Sequence, residues 1–417
     1  MSHTVEVSAR TEWRRHWTTV LAAVFGVALT STHVSAVGAF IAPLEQEFGW
    51  TRAQISIGSG MPTLLGGLLS PLLGIAIDRW GPRRIALPGA VIFCCATALL
   101  SQAGPGIWSW WSLWLLVALG GLMIKPPIWT CAVASLFEKG RGFALSVTLC
   151  GAGLATALMP PLATALIDHF GWRHAYVALG LMLGVITLPI FYAFLTSAAD
   201  NLRRAPVAPE EPAVILTGST VREALRSPRF YKLTVAAFVF TVAAIGTTAN
   251  LVPILTSFQF SRAEAAGIAG VAGVTSLVGR LCTGLLLDRF NGNVIGGLVV
   301  VIPTITCALL LLAPGSTAMV LLAVVLLGLS LGAELDVVAY LTTRHFGMAR
   351  YGTIFGAISG FWAIAASLGP TFANYLYDQT GSYAPAITTF LPLYLVASFC
   401  LATLGRFPVF PRPPAAA

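Results

Sequence analysis

Apolar residues gather in twelve long blocks along this chain, at about 18–44, 53–77, 85–103, 109–136, 141–167, 174–196, 230–257, 264–288, 293–312, 317–344, 351–377 and 384–405. Crossing a bilayer takes roughly 20 apolar residues. No water reaches the bilayer core, so each block must pair its backbone groups within itself, and all twelve read as helices, numbered 1 to 12 here. The polar stretches between them are short, except for one at 197–229. Its middle, Pro206 to Pro212, is a Pro- and Glu-rich linker; Thr220 and Glu223 then cap a short basic surface helix that Pro228 ends. The pattern therefore predicts an N-terminal segment (1–17), a six-helix bundle (18–196), a linker (197–229), a second six-helix bundle (230–405) and a tail (406–417).

The second half repeats the first. Gly74-Ile-Ala-Ile-Asp78-Arg79-Trp80-Gly81-Pro82-Arg83-Arg84 lies between helices 2 and 3, and Gly284-Leu-Leu-Leu-Asp288-Arg289-Phe290 follows 210 positions later. Thr51-Arg52-Ala53-Gln54 and Ser261-Arg262-Ala263-Glu264 stand at the same offset and read as capping boxes opening helices 2 and 8. Small residues recur every fourth position as Gly66, Ser70, Gly74 on helix 2 and Gly352, Gly356, Gly360 on helix 11, a spacing that lets helices approach closely in lipid. Trp108, Trp110, Trp111 and Trp114 read as an aromatic belt at the membrane interface.

Composition agrees with the pattern. Hydrophobic residues make up 57% of the chain and charged ones 10%, against about 25% charged in a soluble domain; mean hydropathy is +0.83. Of 24 Lys and Arg, 19 fall at the chain ends or after even-numbered helices, which puts both termini in the cytoplasm; the expected location is a plasma membrane, a bacterial inner one. The net charge of +8 is this bias and not a nucleic-acid footprint. Met1 to Trp17 lacks the apolar core and cleavage site of a signal peptide. The seven cysteines fall within spans without metal-ligand spacing, and nothing suggests a cofactor.

Charges inside spans are costly and point to function. Lys125, followed by Pro126 and Pro127, sits near the middle of helix 4, and Glu334 holds the related place on helix 10, so a pair across a central cavity is expected. Two residues along a helix is about 200°, so Asp336 shares no face with Glu334; it shares one with Tyr340. Arg280 on helix 8 has Ser70 at its related place and so is no part of the repeated scaffold; its charge is permanent and its fork suits a carboxylate. Asp336 is expected to face Arg280 or water and take a coupling proton, and Glu334 to neutralise Lys125, with the reverse assignment also open. His33 on helix 1 is a further candidate, for substrate contact or for an ordinary hydrogen-bonding place in the core. Trp129, Tyr340, Phe361 and Trp362 suit cavity walls and core positions equally.

The Gly74–Arg84 pattern resembles the loop 2–3 signature of the major facilitator superfamily, complete in the first half and partial in the second. The resemblance implies an all-α fold of two six-helix bundles rocking about a central site, functional as a monomer. It also implies gating by Asp78, Arg79, Arg83, Arg84, Asp288 and Arg289, with Asp78 against helix 11 and Glu138 as partner to Arg79 or Arg83. Helices 2 and 11 would meet across the halves. Arg280, with the helix 10 segment around Glu334, Asp336 and Tyr340, is similar to the monocarboxylate and oxalate/formate branch, where the arginine engages the substrate carboxylate. Two features depart from that branch: Ser276 stands where the animal carriers have an aspartate, and no Lys or Arg lies between Gly352 and Tyr377. The reading is a proton-coupled transporter of a small organic anion, most specifically a monocarboxylate, with Arg280, Lys125, His33 and Tyr340 as substrate contacts. An organic-anion exchanger and a proton-driven exporter of drugs or other small molecules are the alternatives. No loop supplies a nucleophile with its base, so an enzyme is not expected.

Overall fold

A computed structural model describes residues 9–198 and 217–410. The linker middle at Pro206 to Pro212 and the end of the tail lie outside the described residues. Helix 1 is Ala9–Phe48, helix 3 Pro82–Leu99, helix 8 Arg262–Arg289, helix 9 Gly292–Leu312, helix 10 Thr317–Phe346, helix 11 Tyr351–Thr380 and helix 12 Ala384–Ala402. Helix 2 comprises Arg52–Leu68 and Ser70–Trp80, bent by 61° at Leu69 just before Pro71. Helix 4 comprises Ile107–Leu122 and Pro126–Ala134. Helix 7 comprises Pro228–Ala249 and Leu251–Ser257.

Arg141–Leu149 and Gly151–Phe194 form one run of 54 residues. At 1.5 Å per residue that is about 80 Å, more than twice the hydrocarbon thickness. The run turns at Gly171, whose φ of 75° a glycine adopts without strain, and so makes two crossings, helices 5 and 6. With the bent helix 2, the twelve crossings expected from the blocks are present. Both capping boxes form as read, Thr51 with Gln54 and Ser261 with Glu264. The Ser261 hydroxyl and N–H hold the exposed Glu264 carboxyl below its ordinary pKa. Thr220 and Glu223 box the short linker helix Val221–Arg226 in the same way.

Each half packs on itself in a matching way: helices 1 with 5 and 6, 2 with 4 and 3 with 6 in the first, helices 7 with 11 and 12, 8 with 10 and 9 with 12 in the second. The halves meet through helix 2 on helix 11 and helix 8 on the start of helix 5, with the second piece of helix 4 on helix 11. A Cβ at Gly356 would stand 2.7 Å from the Ser70 carbonyl oxygen, and one at Gly360 would stand 3.0 Å from that of Gly67. The close row on helix 2 is therefore Gly67, Ser70 and Gly74; Gly66 faces Lys125 instead. Contact between the halves concentrates at the end bearing the Asp78 and Asp288 loops. At the other end of helix 8, Gly267, Gly270 and Gly273 have open space beside them.

The tryptophan belt is only partly one. Trp108 is 75% exposed, but Trp110 and Trp114 are buried core residues one turn apart on the inward face of helix 4. Trp110 and Trp111 donate to the carbonyls of Ile55 and Gln54, tying helix 4 to the start of helix 2.

Candidate functional site

Helices 8 and 10 cross at glycines. A Cβ at Gly279 would stand 2.6 Å from Leu329 Cα, and one at Gly332 would stand 2.9 Å from Ser276 Cα. That closeness brings Arg280 onto Asp336: Nη1 donates to Oδ1 at 2.5 Å, with the two side chains 14% and 0% exposed. The Asp336 carboxylate is thus a fixed partner of the guanidinium within the second half. The Ser146 hydroxyl of helix 5, in the first half, is another polar group near the Asp336 carboxylate. Arg280 has four further N–H donors, none of them hydrogen-bonded among the described residues, and Cys150 of helix 5 lies near it.

Glu334 points elsewhere, as the angular separation of the two acids requires. It is buried, with Oε1 accepting from Thr241 of helix 7 at 3.3 Å and Oε2 from Trp362 Nε1 of helix 11 at 3.1 Å. The expected pair with Lys125 is not formed among the described residues. Helices 7 and 11 hold Glu334 inside the second half, while Lys125 lies along Gly66 of helix 2 in the first.

Lys125 sits at the break in helix 4, with the extended backbone (φ −61°, ψ 156°) that a residue before proline prefers. The break exposes the Ile124 carbonyl, which accepts from Thr30 of helix 1 and, at 2.7 Å, from Trp129 Nε1. Trp129 is thereby a core residue that props the break open. Lys125 itself has neither ion pair nor hydrogen bond among the described residues.

Two candidates stand apart from this group. His33 faces a cavity of about 20 Å³ inside the first half, lined also by Phe93, Trp114 and Tyr176. Tyr340 packs on Gly292 at the start of helix 9, where a Cβ would stand 2.8 Å from its ring. It is near Asp288 and Arg141, at the sealed end of the molecule.

The contact between the halves at the loop end is built twice. Asp78 accepts from the N–H groups of Gly352 and Thr353 at 2.9 Å each and from the Thr353 hydroxyl at 2.6 Å, capping the start of helix 11. Asp288 accepts from the N–H groups of Gly142 and Phe143 at 2.6 and 2.9 Å, capping the start of helix 5. Each carboxylate reaches across to the other half and meets the positive end of a helix dipole. The six residues fall into three pairs, each at the 210-residue offset, so the same arrangement occurs in both halves.

The arginines of the loop behave differently. Arg83 donates to the carbonyls of Leu195 and Tyr192 at 2.6 and 2.5 Å, pinning helix 3 to the end of helix 6 in its own half. Arg79 lies 5.9 Å from the Trp80 ring. Arg84, Arg289 and Glu138 are exposed, and among the described residues no ion pair joins Glu138 to Arg79 or Arg83. Nothing in the sequence pattern singles out Glu12. Its buried carboxylate accepts from the N–H groups of Glu138, Lys139 and Gly140 at 3.0–3.1 Å, fixing the loop before helix 5. Its partners are backbone groups, which leave no side-chain pattern to read.

Residues 23–370 match the model of the Major Facilitator Superfamily. The chain belongs to that superfamily. It is 26% identical over 400 residues to monocarboxylate transporter 13 of Bos taurus, covering 95% of this chain and 91% of that one. It is 28% identical over 372 residues to the multidrug resistance protein MdtG of Salmonella arizonae, covering 86% and 87%. Among solved structures, the fucose:proton symporter FucP of E. coli superposes with a TM-score of 0.71 at 14% identity, over 93% of this chain and 98% of that one. This superfamily member is a multi-pass membrane protein with the fold of its transporters.

Proposed function

We propose that this protein is a secondary transporter of a small organic anion, most specifically a monocarboxylate, coupled to protons. Both termini lie on the cytoplasmic side of a plasma membrane in this reading, so the seal is cytoplasmic and the arrangement faces outward. Arg280 carries the proposal. Asp336 occupies one N–H of its guanidinium and leaves the rest for a carboxylate arriving between the halves. Lys125 supplies a second cation from the first half, with no counterion among the described residues. Asp336 and Glu334 are the acids available for proton coupling, buried where a charge costs several kcal/mol unless balanced. His33 and Tyr340 take supporting places in the first-half core and at the seal.

The similarity to a monocarboxylate transporter favours this substrate class; the similarity to MdtG keeps drug export as the second reading. Uptake of labelled small carboxylates into proteoliposomes, with and without an inward proton gradient, separates them. Accumulation of monocarboxylates with the gradient is expected. Uptake only against preloaded anion would make the protein an exchanger. No carboxylate movement under either condition would overturn the anion reading and leave export of a cationic or neutral compound.

A further inference from the structure

We infer that Glu334, rather than Asp336, binds the coupling proton, and that its hydrogen bond to Trp362 reports the proton's arrival to helix 11. The inference rests on the anion-transport reading above and assigns the proton within it.

The two acids differ in what holds them. Asp336 is fixed to a permanent cation at 2.5 Å. The other N–H groups of Arg280 can receive a substrate carboxylate without displacing it, so Asp336 remains an ionised partner throughout. Glu334 has two neutral partners, Thr241 and Trp362. The charged groups near it are Arg280 of helix 8 and Asp336 of its own helix; helices 7 and 11 present Thr241 and Trp362, which do not titrate there. One arginine already matched by one aspartate cannot also balance a second carboxylate.

The partners of Glu334 suit a proton that comes and goes. A threonine hydroxyl both donates and accepts, whereas an indole N–H only donates. When Glu334 is ionised, Thr241 donates to Oε1. When a proton from solution bonds to Oε1, the new O–H donates to Thr241, whose own proton turns to a helix 7 carbonyl. The contact survives in both states. The Trp362 bond to Oε2 also survives, but it is charge-assisted only in the ionised state and weakens when the proton binds. Trp362 is on helix 11, whose start Asp78 caps and whose glycines ride on helix 2. Protonation at the substrate level thereby loosens the helix that forms the seal.

Charge balance gives the count. Ionised Arg280, Lys125, Asp336 and Glu334 sum to zero, a bound monoanion leaves one negative charge, and one proton on Glu334 restores neutrality.

Proteoliposomes with a one-unit inward proton gradient test this. Wild type should accumulate a monocarboxylate about tenfold, the ratio one pH unit supports. Glu334→Gln, which keeps the shape and both hydrogen bonds, should fall to a ratio near one while counterflow exchange drops less than about threefold. Trp362→Phe removes a donor that favours the ionised carboxylate, so the pH of half-maximal uptake should rise by about one unit. Glu334→Gln that still accumulates substrate, or a Trp362→Phe midpoint that does not move, overturns the assignment. Wild type that exchanges anions but ignores the gradient also overturns it while leaving the anion reading intact. Wild type that moves no carboxylate sinks both.

Discussion

A buried arginine on a buried aspartate is either a strut or an anchor, and two substitutions separate the roles. Arg280→Gln alone leaves Asp336, 0% exposed, without its cation, which should cost about 3–5 kcal/mol and show as a lower Tm in detergent. Adding Asp336→Asn removes the stranded charge, so most of the Tm should return. Anion uptake should stay at least about a hundredfold down, because an amide supplies no fork for a carboxylate. Uptake recovering together with Tm would mark the pair as a strut. Lys125 makes the opposite case: with no counterion among the described residues, Lys125→Met removes only a burial cost, so Tm should hold or rise while uptake falls about tenfold. The charges in apolar blocks were legible because nothing else explains them there. Their partners were less so. Angular spacing separated Glu334 from Asp336, but only packing turns Glu334 to Trp362 and away from Lys125. Glu12 was illegible because it binds backbone N–H groups.

At the scale of elements, the glycine row on helices 2 and 11 fixes how the halves touch. A Cβ at Gly356 would stand 2.7 Å from the Ser70 carbonyl oxygen, a backbone atom that cannot swing aside. Gly356→Ala should therefore part the helices at the sealed end and raise the reactivity of inner-facing groups to a membrane-impermeant label several-fold. At Gly66 the near atoms are Lys125 Cε and, 2.6 Å from an added Cβ, Lys125 Nζ, the end of a flexible chain. Gly66→Ala should leave the seal alone and weaken anion uptake. Uptake unchanged beyond twofold would place Lys125 outside the substrate path. The four-residue spacing announced a close contact, but Gly67, one position along from Gly66, belongs to it, because the 61° bend at Leu69 rotates the face. The same limit explains the tryptophans: proximity to a loop suggested a belt, while the one-turn spacing of Trp110 and Trp114 aimed both at the core.

For the whole molecule, the 210-residue offset was the most readable feature, and it carries a quantitative consequence. Asp78 and Asp288 each cap a helix of the opposite half, and in the proposed reading these two caps favour the sealed arrangement. Hydrogen bonds to a charged group and an anion at a helix N-terminus are together worth about 2 kcal/mol after an asparagine keeps part of them. Asp78→Asn should thus shift the equilibrium away from the sealed state by about thirtyfold, and Asp288→Asn by a similar factor. The two carboxylates touch separate helices and bias one equilibrium, so their free energies should add, to about 4 kcal/mol and near a thousandfold. Distances between labels on the outer ends of helices 2 and 8 would report it as a gain in short, outer-closed separations. Glu47→Gln is the control. It breaks the 2.7 Å contact with Arg173, which ties helix 1 to helix 6 within one half, and should leave the distribution where it is. A double variant no further shifted than either single one would mean that a single cap decides the state, and the repeat would then be inherited architecture with only one working copy.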